Sequence, residues 1–245
     1  MAAPIRAKYS RLLVNEFDLS TQHNSLEVSV ATEQQDVSTF QNTGKALLSM
    51  VPEGSIATKG FFDDAAAGYT EQELAEAVEN AETLYVAALF GTATAACPVY
   101  VAPATNVENI AITAPVDGVI EIDGGFPAGS GLRRGLRCFS GTLSATGAQT
   151  HIDLGAAGAA GGLAWLWVQT ITGTAEDATI TVESDDNTDF SSAATEGTFT
   201  FSAVGGYQVT LSGAIDRYVR LNCTDLGGAT SFVVVGAVAV TGVTG

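Results

Sequence analysis

The chain has 245 residues and a formal net charge of −17, and 46% of its residues are hydrophobic. This length suits one large all-β domain or two smaller ones, and the hydrophobic fraction is sufficient for a substantial core. Acidic charge without a basic stripe excludes DNA binding by counterion release. It fits a soluble surface, or a passage that polyanions cross without adhering.

The cysteines and the apolar runs indicate in which compartment the chain is made and whether it crosses a membrane. Three cysteines without CxxC spacing predict synthesis in a reducing cytosol and no disulfide framework. The N-terminal sequence MAAPIRAKYSR lacks the apolar segment of a secretion signal. The longest apolar runs, such as Phe232 to Val240, are too short to span a bilayer, so we expect no membrane partner.

Alternating apolar and polar residues predict β-strands along most of the chain. The clearest are Leu26–Val30 and Val119–Asp123. In the second, Ile120 and Ile122 are expected on one face, with Glu121 and Asp123 on the other. The residues Pro115-Val116-Asp117-Gly118 before it predict a hairpin turn. Further strands are predicted at Thr83–Phe90, Pro98–Val101, Asn109–Thr113, Leu163–Thr172, Ala178–Glu183, Thr198–Ser202, Tyr207–Leu211, Arg217–Asn222 and Ser231–Val240.

One segment departs from the β pattern. Thr70 followed by Glu73 is a capping-box signature. A single helical face then collects the apolar residues Leu74, Ala77, Val78, Ala81 and Tyr85. We therefore predict one amphipathic helix, Glu71–Glu82, whose acids face solvent while its apolar stripe lies on a sheet. Residues 33–60 are poorly periodic and are expected as a long excursion or as short strands joined by a loop.

The composition shifts near Cys138 to Thr150. About eight short strands follow at the spacing typical of a β-sandwich. The glycine-rich stretch Gly155–Gly162 between them predicts a loop. It is not a phosphate-binding loop, because neither Lys-Ser/Thr nor a helix follows it.

No catalytic or metal site is indicated, so we expect neither an enzyme nor a cofactor. Asp185, Asn187, Asp189 and Glu196 have the spacing of a calcium loop, but Phe190 stands where such a loop needs glycine. A polar loop between strands is therefore preferred. His23 and His151 lie far apart without metal-ligand spacing, and no GxSxG motif occurs.

Two aromatic residues leave alternatives open. Trp165 and Trp167 are two positions apart and therefore point to the same face of a strand. We expect them in a sandwich core or a subunit contact, and a sugar-binding platform is the alternative.

The charges are partitioned along the chain. Between Gly60 and Leu132 there are eleven acidic residues and no lysine or arginine. The basic residues lie mainly in two small clusters, Arg6, Lys8, Arg11 and Arg133, Arg134, Arg137.

The N-terminal part resembles a known family. The sequence from Leu12 to Asp64 is similar to the major tail (tail tube) proteins of long-tailed, siphovirus-like bacteriophages. The similarity includes a short strand of the type L-V-N-x-x-D-L-S, an alternating strand, a V-x-T-F loop at Val37–Phe40 and a strand ending in G-F-F-D at Gly60–Asp63, followed by one helix. The resemblance covers about half of the chain. The segment Asp216–Leu221 is similar to sandwich regions of virion proteins and of discoidin-like sugar-binding modules.

The resemblance implies an all-β fold with one α-helix: a tail tube domain in residues 1–140, and a C-terminal β-sandwich in residues 141–245 that completes the tube fold or is appended outside it. Such subunits form rings, usually hexameric, which stack into a helical tube lined by a continuous β-barrel. An N-terminal arm and a long loop reach neighbouring subunits or rings. The expected location is the phage tail of the virion, after synthesis in the cytoplasm of the bacterial host.

The implied partners are further copies of the chain and other tail proteins: the tape measure, terminator and distal tail proteins. Genomic DNA would pass during ejection without specific binding, because a like-charged wall repels it. Asp117, Glu121 and Asp123 are the predicted lumen-lining residues. The alternatives are a capsid decoration or fibre protein and a carbohydrate-binding module. The predicted inter-subunit contacts are Arg6, Lys8, Arg11, Arg133, Arg134 and Arg137. For each lumen and contact residue, a solvated surface charge is the alternative.

Overall fold

The structure is a computed structural model that describes residues 9–31, 34–36, 47–49, 53–61, 75, 79, 83–91, 96–129, 131–158 and 160–242. The described residues include nineteen strands and a short 3-10 turn at Leu19–Thr21. The strands are β1 (Ser10–Val14), β2 (Phe17–Asp18), β3 (His23–Ala31), β4 (Gln34–Asp36), β5 (Leu47–Ser49), β6 (Glu53–Phe61), β7 (Leu84–Phe90), β8 (Pro98–Thr105), β9 (Asn109–Thr113), β10 (Glu121–Pro127), β11 (Arg133–Leu143), β12 (Gly147–Ala148), β13 (Ile152–Asp153), β14 (Gly162–Thr172), β15 (Ala178–Asp185), β16 (Ala194–Phe201), β17 (Gly205–Leu211), β18 (Tyr218–Asp225) and β19 (Ser231–Val240).

The chain divides into two compact units. One comprises Met1–Thr21, Tyr85–Val101 and Arg133–Gly245, and the other comprises Gln22–Leu84 and Ala102–Leu132. The first unit contains an eight-stranded sheet in the order β17-β14-β19-β11-β8-β7-β1-β2 and a five-stranded sheet built on β12-β18-β15-β16, with β13 paired to β18. The pairings within both sheets are antiparallel.

The eight-stranded sheet curls into a half-barrel. The indole Nε1 of Trp167 on β14 donates to the carbonyl oxygen of Tyr85 on β7 at 2.8 Å, although three strands separate β14 from β7 in the sheet order. Trp165, Trp167 and Val99 belong to the core inside this curl. The neighbouring β14 residues Ala164 and Leu166 face the opposite core, where the five-stranded sheet contributes Ile180 and other residues. β14 is therefore buried on both faces, which explains its nearly continuous apolar sequence.

The second unit contains a four-stranded antiparallel sheet in the order β3-β6-β10-β9. On one face of β6 and β10, the side chains of Ile56, Ile122 and Phe126 are buried. Residues between them alternate to the opposite face and are more exposed, as the two-residue period of a strand requires. The same unit contains the short pair β4-β5.

The predicted all-β class is confirmed. β9 and β19 have the predicted bounds, and most other predicted strands agree within a few residues. The strand predicted at Val119–Asp123 begins instead at Glu121. Ile120 therefore lies before the strand and is 39% exposed, so it does not share the buried face of Ile122 as predicted. The predicted helix lies mostly outside the described residues, but Ala75 and Glu79 within it are α-helical.

The division at residue 140 stays a prediction. Strands from both sides of that position, β8 before it and β14 and β19 after it, belong to the same eight-stranded sheet. β11, which was not predicted as a strand, passes through position 140 and pairs with β8 on one side and β19 on the other.

Candidate functional site

The solvent-facing side of the four-stranded sheet is the candidate functional site, and we call it the open face. It carries side chains that are mostly small or acidic. Within the four strands its charged residues are Glu27, Glu53, Glu121 and Asp123 against Lys59, which leaves a net charge of −3. Its uncharged residues are Ser25, Ser29, Ala31, Ser55, Ala57, Phe61, Asn109, Ala111, Thr113, Gly125 and Pro127.

The cation of the open face is paired across two strands. Lys59 on β6 lies directly opposite Asp123 on β10. Its Nζ donates to Asp123 Oδ2 at 3.0 Å, and the Lys59 side chain remains 64% exposed. The hydrogen bond and the charge of Asp123 raise the pKa of Lys59 above its usual value, with a smaller contribution from Glu121. Lys59 is therefore a protonated amine held by Asp123 and not a free cation.

The buried side of this sheet holds a histidine close to the backbone. His23 lies opposite Gly60, and its Nδ1 is in hydrogen-bond contact with Thr58 Oγ1. A side chain at position 60 would come within 2.5 Å of the carbonyl oxygen of Gln22, so glycine is required for this close approach. Burial lowers the pKa of His23 to about 4, because the charged imidazolium would lose its hydration.

Each outer strand of this sheet has one neighbour in the described part of the chain. β3 is at one edge with nine residues and β9 is at the other with five. An edge strand presents backbone N–H and C=O groups that can pair with another chain. The sheet is thus suited to extension from both sides.

The two ends of the sheet differ in character. The β9–β10 hairpin forms an apolar tip at one end, where Val116 is fully exposed and Ile112, Val119 and Ile120 are also exposed. The opposite end of β10 borders an open cavity of about 570 Å³. The cavity is lined by Ser29, Ala31, Glu53, Gly54, Ser55, Glu108, Pro127, Ala128 and Gly129.

The three predicted lumen residues lie in one hairpin. Glu121 and Asp123 share the open face, and Asp117 is exposed in the turn before them. Glu121 lies opposite Phe61 and Thr113, so no cation faces it across the strands. Sequence reasoning did not include Lys59 in this group, because the pairing joins residues that are 64 positions apart.

The predicted inter-subunit residues have different surroundings. Arg6 and Lys8 lie outside the described residues. Arg11 donates to Asp18 at 2.6 and 3.0 Å and to Ser140 at 2.9 Å within the same chain. Arg137 is buried, whereas Arg133 and Arg134 are exposed on β11. Among the members of the set that the structure describes, only Arg133 and Arg134 have largely exposed side chains, and the contact role of the whole set stays a prediction.

The tryptophan pair faces one side of its strand, as predicted, but it is not a sugar platform. Trp165 and Trp167 are both fully buried. Their indole nitrogens donate to Gln208 Oε1 at 2.7 Å and to the Tyr85 carbonyl oxygen at 2.8 Å. A buried, internally bonded indole cannot stack on a ligand, so the alternative platform is wrong and the core prediction is correct.

The residues with calcium-loop spacing form the polar connection between β15 and β16. Asp185 accepts hydrogen bonds from the backbone N–H groups of Asn187 and Ser192, both at 2.9 Å. Glu196 instead accepts from Ser184 Oγ at 2.6 Å. The carboxylates therefore stabilise the loop itself. Among the described residues, no group of His, Cys, Asp or Glu is arranged to hold a metal ion.

A second polar cluster on the five-stranded sheet was not predicted. The guanidinium of Arg220 lies 4.0 Å from the ring centre of Phe190, and its Nε donates to Glu183 at 2.8 Å. His151 packs between Phe190 and Tyr218. Because Arg220 already has an aromatic and a carboxylate partner, this cluster stabilises the sheet.

In the described part of the chain, no helix has the length and apolarity needed to cross a membrane.

Among solved structures, the chain is similar to components of phage-like tails. The virion of a native gene transfer agent particle is 19% identical with a TM-score of 0.37, over 49% of this chain and 92% of that one. The SPP1 tail tube is 12% identical with a TM-score of 0.39, over 51% and 75%. The SPP1 Dit protein, from the hub adsorption apparatus of phages that infect Gram-positive hosts, is 12% identical with a TM-score of 0.32, over 94% and 98%. No protein-family model and no curated protein matches the chain.

Proposed function

We propose that this protein is a structural, non-enzymatic subunit of a phage-type tail tube. The observation that carries the proposal is the open face, a four-stranded sheet with net negative charge, small side chains and an edge strand on each side. Copies of the chain would form rings, with six subunits as the expected number, and the rings would stack into a hollow tube in the virion.

The edges of the sheet provide the ring contact. If β9 of one copy pairs with β3 of the next, each sheet extends its neighbour and a closed ring leaves no edge unpaired. The open face then lines the bore. Phosphates meet Glu27, Glu53 and Glu121, and like-charge repulsion keeps DNA from adhering as it passes.

The two ends of the sheet support stacking. In a bore lined by these strands, the apolar hairpin tip of one copy would approach the cavity end of a copy in the next ring. Such a contact joins two different surfaces of the same chain, and a heterologous contact of this kind builds an open helical assembly. Val116 would lose its exposure to water on stacking, which favours the contact.

Other contacts complete the proposal. Arg133 and Arg134 would meet acidic neighbours, because a net charge of −17 supplies carboxylates on every other copy. The ends of the tube would meet the tape measure, terminator and distal tail proteins. A capsid decoration or fibre protein is the remaining alternative. In that case the unit with the eight-stranded and five-stranded sheets would be the contact surface.

Electron microscopy combined with charge reversal tests the function. Purified protein should form tubes of uniform diameter. Replacing Glu27→Lys with Glu121→Lys changes the open face from a net charge of −3 to a net charge of about +1. These tubes should retain added DNA at low salt and release it at high salt. The matched control is Glu176→Lys with Asp189→Lys, which makes the same charge change at exposed loop positions.

Two results would contradict different parts of the proposal. Monomers under every assembly condition would refute the tube. The bore assignment of the open face would be refuted if tubes with Glu27 and Glu121 reversed retained no more DNA than the control tubes. The proposal that the protein forms a tube would then still stand.

A further inference from the structure

The acids of the open face are not equivalent in their surroundings. Lys59 is on β6, an inner strand of the sheet, and faces Ser25 on one side and Asp123 on the other. Its Nζ is 3.0 Å from Asp123 Oδ2. Glu121 projects from the same face two residues before Asp123, but it lies opposite Phe61. Asp123 is therefore hydrogen-bonded to the lysine, whereas Glu121 acts on it only as a nearby charge.

A lysine amine is a compact charge with three donors that binds a phosphate well when it is free. Lys59 is 64% exposed, so its stem does not prevent contact with a polyanion. If the face only had to repel polyanions, it would not need a lysine. The lysine has a structural use, however, because a cross-strand pair of opposite charges stabilises the register between two strands. The sheet can use this pair and still not bind polyanions only if the amine is kept from binding phosphate.

We propose that Asp123 masks Lys59, so that the open face is made non-adhesive toward polyanions by a specific ion pair as well as by its net charge. Asp123 thus acts as a positioning residue for Lys59 through a direct hydrogen bond, whereas Glu121, which lies opposite Phe61, contributes negative charge to the face. The biological role rests on the proposed function, in which DNA meets this face. The masking itself is a property of the sheet and is measurable on unassembled protein.

Two variants with the same change in charge separate the roles. Asp123→Asn and Glu121→Gln each remove one negative charge and nearly preserve shape, but only the first releases the lysine. Binding to a short duplex DNA is followed by fluorescence anisotropy at several salt concentrations. A released amine adds one phosphate contact, so between about 50 and 200 mM salt the affinity of Asp123→Asn should fall about 3.5-fold more than that of Glu121→Gln.

A double variant identifies the amine. Adding Lys59→Gln to Asp123→Asn restores the net charge of −3 and should return the affinity and salt dependence to those of the wild-type protein. Equal behaviour of Asp123→Asn and Glu121→Gln would overturn the proposal, because net charge alone would then explain both. Persistence of the tighter binding in the double variant would also overturn it, since the contact would come from another group.

A chemical readout is independent of DNA. The rate of acetylation of Lys59, measured by mass spectrometry on folded protein, should rise in Asp123→Asn and stay near the wild-type rate in Glu121→Gln. An unchanged rate in Asp123→Asn would overturn the masking. Failure of the protein to form tubes would refute the tail tube function without changing either of these measurements.

Discussion

Acidification is expected to weaken the four-stranded sheet through His23. The pKa of His23 is about 4 in the folded chain, against 6.5 for an ordinary histidine, because the ring is largely buried. The unfolded chain therefore takes up a proton at a higher pH than the folded chain does. The corresponding stability is fully present above pH 6.5 and is lost as the pH falls toward 4.

The size of the effect follows from the two pKa values. At pH 5 most unfolded chains carry the proton and most folded chains do not, which costs about 2 kcal/mol of unfolding free energy. The cost approaches about 3 kcal/mol below pH 4. Acidification acts on every ionisable group of the chain, so the wild-type change alone does not identify His23.

The assay compares variants at two pH values. His23→Gln removes the titration and retains a polar group beside Thr58, and His151→Gln is the matched control at the chain's other histidine. Urea unfolding of unassembled protein is measured at pH 7 and pH 5, with hydrogen exchange of the β3 and β6 amides as the local readout. Wild type and His151→Gln should each lose about 2 kcal/mol more than His23→Gln between these pH values. Equal losses in all three proteins would refute the reasoning.

Two further predictions concern the core and the stacking contact. Trp167→Ala should lower the free energy of unfolding by about 3–5 kcal/mol, measured by urea unfolding. Trp167→Phe should lower it by about 1 kcal/mol, mainly through one lost hydrogen bond, because the Tyr85 carbonyl still accepts from Asn15 N–H. A Trp167→Ala protein of wild-type stability would contradict the assigned core. Val116→Cys with Gly129→Cys should give a ladder of disulfide-linked chains in oxidised assemblies, because about 20 Å of β10 separates the two positions within one chain. A side chain at position 129 meets open space, so the cysteine should be tolerated there. Each single variant is the control, and double-variant tubes without a ladder would contradict the end-to-end contact.

Local sequence patterns were sufficient for most of the strands. The alternation in Asn109–Thr113 and the apolar run Ser231–Val240 predicted β9 and β19 with their observed bounds. The two-residue period also put Glu121 and Asp123 on the face opposite Ile122. These features depend on neighbours within a few residues, which a sequence displays directly. β11 was missed because arginines and glycines interrupt its apolar residues.

The partners of the charged and aromatic groups were decided by tertiary structure. Asp123 faces Lys59, and Arg11 is held by Asp18 and Ser140, because strand pairing joins distant positions. Trp167 is buried because the eight-stranded sheet curls, and alternation within β14 does not encode that curvature. The sequence by itself determined an acidic, strand-rich chain and the side of a strand on which each acid lies. Only the fold decided which acids remain free and which are neutralised, since an ion pair depends on distance in space and not along the chain.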